Sequence, residues 1–98
     1  MTVTKQMNGS SLTVLLQGRL DTVTAPDLEN ALKDDIAGLT ELNFDFAELD
    51  YVSSAGLRVL LSTQKIMNKQ GKMVLRHVKP EIMEVFEITG FVDILTIE

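Results

Sequence analysis

Two adjacent hydroxyls, Ser53 and Ser54, stand with Ala55 and Gly56 at the head of an apolar run, Leu57-Arg58-Val59-Leu60-Leu61. That arrangement admits two chemistries. A serine just before a helix accepts a hydrogen bond from one of the unpaired N–H groups of the first turn, worth ~1 kcal/mol. An exposed serine hydroxyl can instead accept a phosphoryl group, whose charge of about −1.5 to −2 is tolerated beside the positive end of a helix dipole. The two roles are compatible, and the local residues leave both open. Hydrolysis has no such support. Ser-Ser-Ala-Gly is not the Gly-x-Ser-x-Gly elbow of hydrolases, no Walker-type glycine loop occurs, and the only candidate general base, His77, lies in a separate strand-like segment. His77 reads as a satisfied or solvent-facing side chain. The chain is expected to catalyse nothing.

The serines need elements to hold them. Leu42-Asn43-Phe44-Asp45-Phe46 alternates with period two, as a strand with one buried face does, and leads through a loop into the serine turn. The next helix starts at Ser53 or Ser54, buries Leu57, Leu60, Leu61 and Met67, and ends at Gly71. Upstream, Val3–Met7 and Leu12–Leu16 flank Asn8-Gly9, a pair that readily takes positive φ, so they form a hairpin. Thr24 is placed to cap a helix with Pro26 in its first turn; Leu28, Ala31, Leu32 and Ile36 recur at helical spacing, and Gly38 is its C-cap. Met73–His77 is a short strand. Pro80 opens a third helix with Ile82, Val85 and Phe86 inward, Thr89-Gly90 closes it, and Ile94–Ile97 forms a last strand or helix. The fold class is therefore α/β: an N-terminal β-hairpin, then a mixed, partly parallel sheet with helices packed against it.

Composition bounds the function. At 98 residues, 45% of them hydrophobic, the chain holds one small core, so residues 1–98 are expected to form one domain. It has no cysteine, which excludes disulfides and thiolate chemistry, and its single histidine rules out a multi-histidine metal site. No cofactor is implied. A net charge of −5 disfavours nucleic acid, whose phosphates need clustered Lys and Arg. No apolar run approaches the ~18 residues of a membrane span, and Met1–Lys5 lacks the apolar core of a signal peptide. A soluble cytoplasmic protein is expected. The five methionines read as core packing.

Three stretches, in order, carry a family resemblance: Gly18-Arg19-Leu20-Asp21 with Thr24-Ala25-Pro26-Asp27-Leu28-Glu29, then Leu49-Asp50-Tyr51-Val52-Ser53-Ser54-Ala55-Gly56-Leu57, then Ile88-Thr89-Gly90-Phe91. Together they resemble the STAS domain of bacterial anti-sigma-factor antagonists, over roughly residues 12 to 95. The family motif is Asp-Ser-Ser/Thr-Gly-Leu, with the first serine phosphorylated. Matching Gly56-Leu57 to its Gly-Leu implies Ser54 as acceptor, with Ser53 as the alternative. Ser53 stands where the family has Asp, and Ala55 where it has a second Ser or Thr.

The resemblance implies a binding module. Its partners would be an anti-sigma factor that is also a serine kinase, and a phosphatase that reverses the modification. An alternative partner is the ATPase of a lipid or solute ABC transporter. It further implies that the loop of Asp21, Thr22 and Thr24 joins the serine turn in one partner surface, although turn chemistry alone explains that loop. Tyr51 and Arg58 flank the serines and are of types enriched at energetic centres of interfaces. Gly56 is expected to let a partner backbone approach closely.

Overall fold

A computed structural model covers residues 1–98. The chain opens with the antiparallel pair β1 (Thr2–Asn8) and β2 (Ser11–Leu20), joined by Gly9 and Ser10, with Gly9 at φ +63 as the tight turn requires. Helix α1 (Ala25–Lys33) crosses to β3 (Glu41–Val52), and α2 (Ser54–Asn68) crosses to β4 (Lys72–Arg76). Both crossovers return parallel strands, giving the sheet order β1-β2-β3-β4. Helix α3 (Pro80–Thr89) and a 3-10 turn at Phe91–Asp93 complete the chain. The expected mixed sheet and hairpin are present.

The core lies between one face of the sheet and the helices. Leu12, Val14 and Leu16 of β2, Leu42, Phe44 and Phe46 of β3, and Met73 and Leu75 of β4 share that face. They form one cluster with Leu28 and Leu32 of α1, Leu57, Leu60 and Met67 of α2, and Ile82 and Phe86 of α3. Phe44 and Phe46 meet edge to face, with ring centroids 6.0 Å apart. On β1 the residues of the core face are Val3, Lys5 and Met7. Lys5 reaches over that edge to α1, donating to the Ala31 carbonyl at 2.9 Å and pairing with Asp35 at 2.6 Å.

Several boundaries differ from the sequence reading. β3 does not end at Phe46 but runs to Val52. Its period-two signal breaks because two extra residues are inserted against β2, one between Asp45 and Glu48 and one between Leu49 and Tyr51. Burial therefore steps from Leu42, Phe44 and Phe46 to Leu49 and Val52. Asp45 Oδ1 accepts the Ala47 N–H at 2.9 Å and holds the first bulge. Helix α1 stops at Lys33 with Asp34 as its C-cap, well short of Gly38. The chain beyond is fixed by Gln70, whose side-chain amide donates to the Ile36 and Leu39 carbonyls at 2.7 and 2.8 Å. On α2 the fully buried positions include Val59 and exclude Leu61, and on α3 Val85 is only half-buried. The last segment is neither a full strand nor a helix. Ile97 makes a single parallel bridge to Leu75.

Gly71 sits where α2 turns into β4, packed directly on the Thr40 backbone. A methyl group there has no room, so Gly71→Ala should destabilise the fold by about 1–3 kcal/mol. A shift of the urea midpoint with unchanged slope is the expected reading.

Candidate functional site

Because β2 and β3 are parallel, their C-terminal ends emerge on the same side of the sheet. Leu20 pairs with Val52, and the Ser53 N–H donates to the Leu20 carbonyl at 2.9 Å, one residue past the strand. The loop after β2 and the turn after β3 thus leave from neighbouring points. This sets the Asp21–Thr24 loop next to the serine turn, and Thr22 and Arg58 line one depression.

The two serines divide the work. Ser53 is the N-cap of α2, with extended backbone, and its Oγ accepts the Gly56 N–H at 3.3 Å. Ser54 is the first helical residue. Its hydroxyl is exposed and makes no hydrogen bond. The capping role and the free hydroxyl, left open between two neighbours by the sequence, fall on different residues.

The loop before α1 is held by Asp21. Its Oδ1 accepts the N–H groups of Val23 and Thr24, each at 3.0 Å. Thr24 nominally precedes the helix but does not cap it with its side chain. Its hydroxyl instead donates to the Arg19 carbonyl at 2.7 Å and accepts the Asp21 N–H at 2.8 Å. The expected Thr24 cap is therefore corrected: the hydroxyl closes the turn backward, and the Asp21 carbonyl takes the Ala25 N–H at 2.8 Å. The Thr24 N–H is the chief reason that the Asp21 carboxyl is held below the usual carboxylate range. Partial desolvation opposes this, while the Thr24 hydroxyl, the Val23 N–H and the Arg19 charge add to it.

Gly56 is not an open point of approach for a partner, and the expectation is corrected. It is buried, and a Cβ on it would lie 2.7 Å from Leu20 Cγ and 3.0 Å from the Leu20 carbonyl oxygen. The glycine is there to let α2 settle onto the end of β2. Tyr51 and Arg58 are both exposed. Thr22, Ala55 and Arg58 line a shallow depression of ≈ 300 Å³ between α1 and α2, with Glu29 on its far wall. His77 takes no part: it is exposed at φ 58 just beyond β4, with Nδ1 3.0 Å from Asp45.

Two residues escaped the sequence reading. Arg19 lies cross-strand from Tyr51 and stacks on its ring at 4.1 Å from the centroid. Val23 leaves 80% of its surface exposed at the tip of the Asp21 loop. Only the strand register could reveal the first. The second was visible as an apolar residue in a polar loop.

The candidate site is thus an exposed serine hydroxyl and a preformed loop, carried side by side at the C-terminal ends of the two central strands. The STAS domain pattern matches residues 2–98, and the chain belongs to that family. It is similar to BtrV of Bordetella bronchiseptica, named as a candidate anti-sigma factor antagonist, with 38% identity over 99% of this chain and 85% of that one. It is also similar to the anti-sigma-B factor antagonist of Listeria monocytogenes, with 30% identity over 96% of this chain and 84% of the relative. Among solved structures, the unphosphorylated anti-sigma factor antagonist SpoIIAA superposes with a TM-score of 0.78 at 17% identity, covering 99% of this chain and 87% of that one. Its phosphorylated form, from Bacillus, gives 0.77 at 18% identity, covering 99% and 91%. These last two establish the shared fold.

Two outcomes test the geometry. Gly56→Ala gains ~1 kcal/mol of helix propensity but must push Leu20, so it should destabilise by a net of about 1–2 kcal/mol; a stabilised variant would mean that the position is open. Acidification should release the Asp21 turn. With the folded carboxyl below its unfolded value of about 3.9, its contribution is complete above that value and is lost as pH falls through the folded one. The Val23 and Thr24 amide proton shifts should titrate with a midpoint below the free-aspartate value, and in Asp21→Ala that titration should vanish.

Proposed function

We propose that this chain is an anti-sigma factor antagonist whose binding is switched at Ser54. The unmodified form binds an anti-sigma factor that is also a serine kinase, and so frees a sigma factor. The kinase then transfers the γ-phosphoryl group of ATP to Ser54 Oγ. The new P–O bond forms as the bond to the departing ADP breaks, and the serine proton passes to the kinase. A phosphatase hydrolyses the ester and restores binding. The chain supplies a hydroxyl and a surface, and it is a regulatory protein rather than an enzyme. With such partners it works in the cytoplasm; no helix is long and apolar enough to cross a membrane.

The observation that carries this reading is the free, exposed Ser54 hydroxyl beside a Ser53 already committed to capping. Phosphate on Ser54 leaves the cap intact and adds charge where the helix dipole favours it. The relatives named as antagonists, at 30 and 38% identity, favour the anti-sigma partner over a transporter ATPase.

The partner surface joins Asp21, Thr22, Val23 and Thr24 to Tyr51, Ser53, Ser54 and Arg58. Gly56 contributes to it through packing alone. Arg19 belongs to this surface as the cation stacked on Tyr51. Exposed Val23 offers an apolar contact within a charged rim.

Incubation with the cognate kinase and ATP, followed by fragment mass spectrometry, should place phosphate on Ser54. Ser54→Ala should abolish labelling and Ser53→Ala should keep it, at ~1 kcal/mol of stability lost with the cap. Labelling confined to Ser53 would reverse the assignment. Arg58→Ala should weaken partner binding by about 1–2 kcal/mol, and Thr4→Ala on the outer strand by almost nothing, as read by titration calorimetry.

A further inference from the structure

We propose that the phosphate on Ser54 is gripped in cis by Arg58, so that modification also withdraws a guanidinium from the partner surface. This rests on the reading of Ser54 as acceptor and extends it to the mechanism of release.

Ser54 begins α2 and Arg58 comes four residues later, both exposed. Residues four apart share a helix face, and helical side chains favour rotamers that lean toward the N-terminus, so Arg58 is placed to reach a phosphate on Ser54. The guanidinium is also unclaimed. The ion pairs of the chain use Lys5, Arg19, Lys72, Arg76, His77 and Lys79, and none uses Arg58.

The acids that could compete for it do not hold it. Glu29 of α1 lines the same depression without forming an ion pair to Arg58. The Asp21 carboxylate is occupied by the Val23 and Thr24 amides and by Arg19 at 3.8 Å. At position 53 stands a neutral serine whose oxygen is committed to the Gly56 N–H. Arginine offers a planar fork of donors, and a phosphate monoester offers three acceptor oxygens, a combination that favours a two-bond contact.

The partner therefore loses two things at once. It meets a new negative charge, and the cation it would have anchored on is turned inward along the helix. A lysine at 58 would supply the charge without the fork.

The test uses the full chain with phosphoserine incorporated at position 54 during translation, in otherwise wild-type, Arg58→Lys and Arg58→Ala backgrounds. Phosphorus NMR then tracks the second ionisation of the phosphate, and nitrogen-proton spectra track the Arg58 side-chain Nε–H. Pairing favours the dianion, so the wild-type midpoint should lie at least about 0.3 unit below that of Arg58→Ala, with Arg58→Lys between them. The difference should shrink as salt is raised. The Nε–H resonance should move as the phosphate titrates. Identical midpoints in all three proteins would overturn the clamp while leaving Ser54 as acceptor. Kinase labelling that maps away from Ser54 would overturn the switch beneath it, whatever the midpoints show.

Discussion

Leu20 is the joint on which the functional end of the molecule is built. Its carbonyl takes the Ser53 N–H at 2.9 Å, and its side chain fills the space left by the missing side chain of Gly56. The first contact prolongs the parallel pairing of β2 and β3 by one bond past the last ladder residue. The second lets α2 start immediately after β3 with no intervening loop. The serine turn is consequently fixed to the strand that leads into the Asp21 loop, and the two surfaces cannot drift apart without breaking both contacts. Leu20 is fully buried in the central cluster, so the site inherits its rigidity from the core.

This rigidity separates what holds the turn from what changes on it. Buried Gly56 and half-buried Ser53 hold the start of the helix, while Ser54 and Arg58 are exposed, where the proposed switch needs them. The helix N-terminus favours negative charge near Ser54, so a phosphate there works with the local field. A switch arranged in this way alters the surface while the backbone stays where Leu20 places it. On the adjoining loop, Asp21 commits its carboxylate to two backbone amides, so the loop is shaped before any partner arrives.

Much of this was legible in the residues, for identifiable reasons. Asn8-Gly9 marked the hairpin because positive φ is demanded there, and Ser53-Ser54 before an apolar stripe marked the start of α2. The length of β3 was not legible: its two bulges break the alternation after Phe46, and a period-two reading stops where the period stops. For the end of α1 the local signal is Gly38, a residue type that terminates helices and that does take a positive φ here. The chain in fact leaves the helix at Asp34, and Gln70, far along the sequence, pins the segment from Ile36 to Leu39. Gly56 was read as open because a glycine in a helix looks the same whether it faces a partner or a buried leucine. The Arg19–Tyr51 stack depends on strand register, which local patterns do not carry. Local signals thus located the serine turn, while contacts across the sheet decided which side chains of that turn look outward.

The central claim is that one hydroxyl changes binding without changing the fold. Calorimetric titration of the unmodified and the fully Ser54-phosphorylated chain against the same anti-sigma factor, beside urea unfolding of both forms, tests it most directly. The account predicts at least about a tenfold loss of affinity on phosphorylation, with stabilities agreeing to within about 1 kcal/mol. Equal affinities, or a phosphorylated chain that has lost its cooperative unfolding, would contradict it.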